Sequence, residues 1–157
     1  IESSPAGYTC LVDTTTQLNT VGAVLCDMPG VHAMTDVTGF ALLGHLLEIA
    51  RGSQLTARVA FERLPVIAEA LQLAQAGVAT GAAERNWASY GHEVELGGGI
   101  AEWQRKLLCD PQTSGGLLVA CAAESEGAVL DAFRQQGFAA ARKIGTLDAG
   151  APRVIVE

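Results

Sequence analysis

Apolar residues recur every three or four positions in four segments of the chain, and this spacing predicts four helices. The clearest segment is 40–50, where Phe40, Leu43 and Leu47 share one face and Gly52 follows in the usual C-terminal position. The other three predicted helices, each ended by a glycine or a Pro-Gly pair, cover 13–28, 66–76 and 124–136. Each has an apolar face that must pack against another element.

Shorter apolar or alternating segments predict five β-strands, over 32–36, 55–61, 117–122, 142–147 and 153–157. Two stretches show neither the helical spacing of three to four residues nor the alternation of a strand. We expect irregular structure over 1–12 and a long loop with one short strand over 78–99. Helices and strands alternate without the regular rhythm of parallel βαβ units. The sequence therefore predicts the α+β class, with a mixed β-sheet flanked by helices.

The composition is typical of a single folded domain. The chain has 157 residues, of which 49% are hydrophobic and 17% are charged, and this balance excludes an intrinsically disordered protein. No apolar run reaches the roughly 18–20 residues of a membrane helix, so no membrane contact is expected. The net charge is −7, whereas a protein that binds nucleic acid regardless of sequence needs a basic face. We therefore expect a soluble domain without a nucleic-acid partner.

The cysteines indicate the cellular compartment. Cys10, Cys26, Cys109 and Cys121 lie far apart and form neither a C-x-x-C pair nor a zinc motif. We expect free thiols in apolar surroundings rather than disulfides, and no secretory leader pattern is visible. The cytoplasm is the expected location. Because the chain begins at Ile1 rather than at a methionine, we expect it to be a piece of a longer polypeptide.

The first segment with candidate chemistry is T-D-V-T-G-F, over 35–40, directly before the clearest helix. Two interpretations are open. Asp36 and Thr38 are residue types that cap helices, because their oxygens accept unpaired amide hydrogens. Alternatively, Asp36 is a hard carboxylate ligand for Mg²⁺, which prefers oxygen donors. His45 lies nine residues beyond Asp36, and we interpret it as a packed core histidine rather than a ligand.

The second such segment is D-P-Q-T-S-G-G, over 110–116. Its two hydroxyls and two glycines allow the backbone to approach a ligand closely, and consecutive amides can form an anion-binding concavity. The alternative is a tight turn before a strand. The chain contains no Walker loop and none of the motifs G-x-G-x-x-G, G-x-S-x-G or H-E-x-x-H.

The two segments together resemble the selenophosphate synthetase (selenide, water dikinase) family. The resemblance rests on M-T-D-V-T-G-F-A-L-L-G-H over 34–45 and L-C-D-P-Q-T-S-G-G-L-L over 108–118, in the order and at the separation of that family's C-terminal half. It implies an enzyme that makes selenophosphate, AMP and phosphate from ATP, selenide and water. It also implies that 1–157 is a single C-terminal domain, folded like that of aminoimidazole ribonucleotide synthetase-like enzymes. The family's N-terminal ATP-binding domain is absent from this chain.

The resemblance also implies roles for particular residues. Asp36 matches a Mg²⁺ ligand of the family, and no residue of this chain matches a catalytic one. The candidates for a loop-shaping role at a bound cofactor are Thr113, Ser114, Gly115 and Gly116. The implied partners are the chain's own N-terminal ATP-binding domain, selenide as the small-molecule substrate, and a second subunit in a homodimer. We expect the isolated chain to be inactive, because the family's reactive Cys or Sec lies in the other domain.

Two departures from the family pattern are visible. Ala41 stands where the family usually has glycine, which we interpret as a tolerable change inside a helix. Residues 80–83, T-G-A-A, are a degenerate version of the family's P-G-G-T run, which puts a ligand role there in doubt. Two rival functions stay open. One is the C-terminal domain of a related ATP-dependent synthetase with another substrate, and the other is a non-catalytic binding domain.

Overall fold

The computed structural model describes residues 4–157, with seven α-helices and six β-strands in that range. The helices are α1 (Pro5–Thr16), α2 (Val21–Leu25), α3 (Ala41–Ser53), α4 (Ala68–Gln75), α5 (Gly81–Tyr90), α6 (Glu102–Leu108) and α7 (Glu126–Gln135). The strands are β1 (Val31–Asp36), β2 (Leu55–Val59), β3 (Val94–Leu96), β4 (Leu117–Cys121), β5 (Gly145–Ala149) and β6 (Arg153–Val156). Within the described range, no helix has the length and apolar character needed to cross a membrane.

The larger sheet has the strand order β3-β6-β2-β5. Strand β2 is antiparallel to β5 but parallel to β6, and β3 is parallel to β6, so the sheet is mixed. Helix α3 packs against β2 and β6, and its Leu43 and Leu47 are fully buried together with Val154 and Val156 of β6. This arrangement confirms the predicted α+β class with a mixed sheet and flanking helices.

A separate two-stranded ribbon positions the candidate chemistry. Strand β1 pairs antiparallel with β4, so that Asp36, the last residue of β1, lies opposite Leu117, the first residue of β4. A second apolar cluster, containing Val21, Leu25, Val129 and Phe133, holds α2 and α7 together beside this ribbon. The ribbon therefore brings the ends of both candidate motifs to one place.

The structure corrects the predictions for the N-terminal third. The helix predicted over 13–28 is wrong, because α1 ends at Thr16 and a separate short helix, α2, follows. Of the stretch predicted to be irregular, 1–12, residues 5–12 are helical and 1–3 lie outside the described range. Helix α1 begins at Pro5 because the Ser4 side chain accepts a hydrogen bond from the Gly7 amide, which caps it.

The long loop predicted over 78–99 is also wrong, apart from its short strand, β3. Helix α5 occupies 81–90, capped by the Thr80 hydroxyl, which accepts a hydrogen bond from the Ala83 amide. Only Ala83 and Tyr90 of this helix are buried. Two buried residues, one of them an alanine with almost no apolar signal, are too few for a periodicity search to detect the helix.

The interpretation of Ala41 needs a correction as well. Ala41 is the first residue of α3 and its φ is +60°, a left-handed conformation that glycine adopts without a steric penalty. Its side chain is fully buried. The position therefore favours glycine for backbone reasons, and alanine there carries strain that an ordinary helix position does not.

Replacing Ala41 by glycine is expected to change the free energy of unfolding by less than about 1 kcal/mol. Relief of the left-handed strain offsets the lost methyl burial and the greater freedom of the unfolded chain. Ala50 is the matched control, because it is equally buried in the same helix without a positive φ. Ala50→Gly is expected to cost about 2 kcal/mol. Urea unfolding of both variants measures the difference, and equal costs would contradict this account.

Candidate functional site

The candidate site lies where the two sequence motifs meet beyond the ends of β1 and β4. The Val37 amide donates a hydrogen bond of 2.9 Å to the Gly116 carbonyl, and the Gln112 amide donates one of 3.1 Å to the Thr38 carbonyl. These two bonds hold 37–39 side by side with the loop 112–116. Motifs more than 70 residues apart in the chain therefore form one surface.

Gly115 is required for this close approach. A Cβ atom at Gly115 would lie 1.8 Å from the Val37 carbonyl oxygen, which is far inside any possible contact distance. The Gly115 carbonyl in turn accepts a hydrogen bond of 2.9 Å from the Asn19 side-chain amide. Asn19 stands in the break between α1 and α2, so this bond attaches the N-terminal segment to the same loop.

A cleft of about 130 Å³ opens between these segments. It is lined by residues that carry mainly hydroxyl, carboxylate and amide groups: Thr15, Gln17, Leu18, Asn19, Asp36, Thr38, Thr113, Ser114 and Gly115. Four of the five predicted site residues therefore come together, and Gly116 contributes its carbonyl to the ribbon beside the cleft. Asn19 could not be predicted from the sequence, because an amide that binds one backbone carbonyl leaves no periodic signal.

The Asp36 carboxylate has no structural partner among residues 4–157. Asp36 is exposed at the cleft, and no side chain or amide in the described range forms a hydrogen bond or an ion pair with its carboxylate. Its interpretation as a helix cap is wrong, because the N-cap position of α3 is Phe40 and no side chain caps that helix end. The carboxylate is therefore available to a ligand.

Thr38 does not cap α3 either, because its hydroxyl lies 3.0 Å from Nε2 of His45. The other ring nitrogen of His45, Nδ1, lies 2.9 Å from a Glu48 carboxylate oxygen. A proton on Nδ1 satisfies that carboxylate, so Nε2 accepts the hydrogen bond that the Thr38 hydroxyl donates. His45 is buried, which confirms it as a core histidine. It fixes the Thr38 hydroxyl so that the oxygen lone pairs are left for the cleft.

The loop 110–116 is not a tight turn closed by its own backbone. In the described structure, no backbone hydrogen bond joins two residues within 111–116, and the loop instead bonds to Thr38 and Val37. The Thr113 and Ser114 hydroxyls are exposed at the cleft. The loop thus presents side-chain oxygens to the space beside Asp36.

Side chains of helix α5 form hydrogen bonds to the backbone of both motif segments. The Asn86 side-chain amide donates 3.0 Å hydrogen bonds to the carbonyls of Gly39 and Cys109. The Tyr90 hydroxyl donates a 2.8 Å bond to the Phe40 carbonyl. The sequence predicts a loop here, so the supporting role of Tyr90 could not be predicted from it.

The cysteines occupy two kinds of environment. Cys109 is fully buried, and burial raises the pKa of its thiol, while burial also raises the pKa of the neighbouring Tyr90 hydroxyl. All four cysteines are free, as expected. The expectation of apolar surroundings is wrong for Cys10 and Cys26, which are exposed.

Iodoacetamide at pH 8 is expected to modify Cys10 and Cys26 rapidly and Cys109 only on unfolding, because a buried thiol with a raised pKa is neutral and inaccessible. Because the folded-state pKa of Cys109 is raised, the folded state gains stability below the ordinary thiol pKa. That gain is lost as the pH rises through the raised value. Peptide mapping by mass spectrometry measures the modification at each site. Rapid labelling of Cys109 in the folded chain would contradict its burial.

The cleft has one carboxylate to offer a cation. In the described part of the chain, no group of three or more His, Cys, Asp or Glu side chains could hold a metal ion. Asp36, with the hydroxyls of Thr38, Thr113 and Ser114 around the cleft, is a set of hard oxygen donors of the kind that Mg²⁺ prefers. Magnesium usually binds one or two protein carboxylates together with phosphates and water, so this set fits part of a magnesium–phosphate site.

Comparisons with known proteins show which family the chain resembles. Residues 9–157 match the family model described as AIR synthase related protein, C-terminal domain. The chain is 54% identical over 151 residues to a selenide, water dikinase from Pseudomonas straminea, and 56% identical over 150 residues to one from Burkholderia pseudomallei. A third, from Rhizobium meliloti, is 50% identical over 152 residues. Each match covers 96–97% of this chain but only 42–44% of the relative, so the chain spans less than half their length.

Proposed function

The chain belongs to the family of AIR synthase related protein C-terminal domains, and on that premise we propose that residues 1–157 are the C-terminal domain of a selenide, water dikinase. One observation carries the proposal. In a chain more than half identical to such dikinases, two distant motifs converge on a cleft whose only carboxylate, Asp36, has no structural use in the described residues. We infer that this carboxylate, exposed among hydroxyls, serves as a ligand group.

The complete dikinase would make selenophosphate, AMP and phosphate from ATP, selenide and water. It would be a cytoplasmic phosphotransferase and a homodimer. An N-terminal ATP-binding domain would supply the reactive Cys or Sec and the remaining metal-binding carboxylates. Bound Mg²⁺ would neutralise phosphate charge, which is the main demand of phosphoryl transfer.

The residues of this chain would hold and position the bound metal ion and phosphates, and none of them would react. Asp36 would contribute an oxygen ligand to a bound metal ion, and the Thr38 hydroxyl, fixed by His45, presents its oxygen to the same space. The loop 113–116 presents two hydroxyls because Gly115 lets it lie against Val37. A single carboxylate is a weak site for Mg²⁺, which gives up its water reluctantly, so the 157-residue chain alone is expected to be inactive.

The direct test is selenide-dependent AMP formation from Mg-ATP. It compares the 157-residue chain with the two-domain protein, in which the same chain is preceded by its N-terminal ATP-binding domain. Activity only in the two-domain protein supports the proposal. ATP turnover that depends on another substrate would indicate a related synthetase. A two-domain protein that does not turn over ATP would indicate a binding domain. Activity of the short chain alone would contradict the assignment of the chemistry to the other domain.

A further inference from the structure

Three side chains form a hydrogen-bonded line that runs from the cleft to the outer surface of α3. The Thr38 hydroxyl oxygen lies 3.0 Å from Nε2 of His45, and Nδ1 of the same ring lies 2.9 Å from a carboxylate oxygen of Glu48. The His45 side chain is only 8% exposed, whereas that of Glu48 is 53% exposed. A buried imidazole therefore connects a hydroxyl that lines the cleft with a carboxylate at the surface.

Each hydrogen bond in this line has only one possible direction. An ionised carboxylate accepts hydrogen bonds and cannot donate them, so Nδ1 of His45 carries the ring proton. A neutral imidazole has a single ring proton, so Nε2 can only accept. The Thr38 hydroxyl must then donate its one proton to Nε2. Glu48 thus determines, through His45, which way the Thr38 hydroxyl points its hydrogen.

This direction decides which ligands the Thr38 oxygen can bind. With its proton committed to His45, the oxygen offers lone pairs to the cleft and has no hydrogen left to donate. Lone pairs bind a cation or a hydrogen of water, but a phosphate oxygen, which is itself an acceptor, needs a donor. The Thr38 oxygen therefore suits a metal ion with its bound water and does not suit a phosphate.

The hydroxyls of Thr113 and Ser114 have the opposite character. Both residues are exposed at the cleft, and no hydrogen bond within residues 4–157 uses either side chain. Their hydroxyls rotate freely, so each has a proton to donate to a phosphate oxygen. The cleft thus contains one hydroxyl that can only accept and two that can donate.

We propose that the Thr38 hydroxyl serves the cation side of the cleft, beside Asp36, and that Glu48 and His45 are positioning residues that hold it there as an acceptor. Thr113 and Ser114 then serve the phosphate side. This inference rests on the proposed function, because it divides the polar groups of that site between a metal ion and phosphates. Groups that hydrogen-bond to a metal ligand orient it and raise metal affinity, which is the role assigned to His45.

A purely structural role for Glu48 makes a different prediction. Ion pairs and hydrogen bonds at an exposed carboxylate add little to stability, so Glu48→Ala is expected to lower Tm by no more than about 3 °C. The expected effect is instead on the tautomer of His45. Without the carboxylate, no charged acceptor favours a proton on Nδ1, and a proton on Nε2 can be donated to the Thr38 oxygen.

The first test is ¹⁵N nuclear magnetic resonance of the histidine side chains in the 157-residue chain at pH 8. We expect the ring proton of His45 on Nδ1, and we expect Glu48→Ala to populate the tautomer with the proton on Nε2. Glu62→Ala is the matched control, because Glu62 is also exposed and no ion pair of the described residues includes it. A proton on Nε2 in the unchanged chain would overturn the proposal.

The second test is Mn²⁺ binding by the two-domain protein with ATP present, measured by electron paramagnetic resonance. Thr38→Val keeps the shape of the side chain without the hydroxyl and is expected to weaken Mn²⁺ binding about tenfold. Thr38→Ser keeps the hydroxyl and is expected to stay within about twofold. Glu48→Ala is expected to weaken binding about threefold, because only the fraction of molecules with the competent tautomer binds well.

The double variant separates positioning from direct electrostatic attraction. If Glu48 acts through the Thr38 hydroxyl, Glu48→Ala has no further effect on Mn²⁺ affinity in a chain that already carries Thr38→Val. A threefold loss in that background would show that the Glu48 charge attracts the metal ion directly, and it would overturn the positioning role.

The outcomes also distinguish this inference from the proposed function. If Asp36→Asn weakens Mn²⁺ binding and Thr38→Val does not, this inference is overturned while the metal site stands. Weakened binding in Thr38→Val, restored in Thr38→Ser, would support the inference even if the two-domain protein proves inactive with selenide.

Discussion

Replacing Asp36 by asparagine is expected to lower kcat/KM for selenide-dependent AMP formation about a thousandfold in the two-domain protein. The change removes one negative charge and keeps the size of the side chain. Removal of one preorganised group that stabilises a transition state commonly costs a factor of about 10²–10³ in rate, and Asp36 would act in this way through the metal ion that it holds. The free energy of unfolding is expected to change by less than about 0.5 kcal/mol, because the carboxylate is exposed and has no partner in the described residues.

Asp27→Asn is the matched control for this prediction. Asp27 is also exposed, carries the same charge and is not part of the cleft. It is expected to leave kcat/KM within about twofold of the unchanged protein, because loss of an isolated surface charge has little effect. Steady-state assays at several Mg²⁺ concentrations separate a metal-binding defect from a general loss. Equal kcat/KM values for the two variants would show that Asp36 is not part of the functional site.

Replacing Gly115 by alanine is expected to destabilise the 157-residue chain by about 3 kcal/mol. The added Cβ would lie 1.8 Å from the Val37 carbonyl oxygen, and neither of these backbone segments can move without breaking bonds between the motifs. At this chain length, the loss corresponds to a fall in Tm of about 10 °C. Thermal and urea unfolding of the chain measure it without any need for activity.

Gly116→Ala is the control, because a Cβ at Gly116 meets no atom within 4 Å. Its cost is expected to stay below about 0.5 kcal/mol. The two neighbouring glycines differ in what surrounds them, so the comparison isolates the energetic effect of the close approach of Gly115 to Val37. If both variants were equally stable, the loop would have to lie elsewhere, and the cleft described above would not exist in that form.

The elements with strong apolar faces could be predicted from the sequence. Helix α3 buries a continuous stripe that includes Leu43 and Leu47, and β2 and β4 lie within predicted strands. Helices α1 and α5 could not be predicted, for the same reason. Helix α1 buries nothing in the described chain, and α5 buries only Ala83 and Tyr90. A signal based on buried apolar residues is weak in both.

The residues of the candidate site could be predicted from the sequence, but their arrangement in space could not. Residue types singled out Asp36 and the loop 113–116, and the resemblance to a family linked them. The strand register that places Asp36 opposite Leu117 depends on long-range pairing, which local patterns do not encode. The left-handed backbone of Ala41 is likewise set by the surrounding structure. The role of Asp36 as a metal ligand stays a prediction.

The measurement that tests the central claim most directly is metal binding by the two-domain protein, with Mn²⁺ in place of Mg²⁺ and ATP present. Electron paramagnetic resonance counts the bound ions and gives their affinity. Loss of a group that only supports a metal ligand typically weakens binding 10–100-fold, so loss of a direct ligand is expected to weaken it at least about tenfold. We predict that Asp36→Asn weakens Mn²⁺ binding by that amount while Asp27→Asn does not. Unchanged Mn²⁺ number and affinity in Asp36→Asn would contradict the assignment of this cleft as a metal–phosphate site.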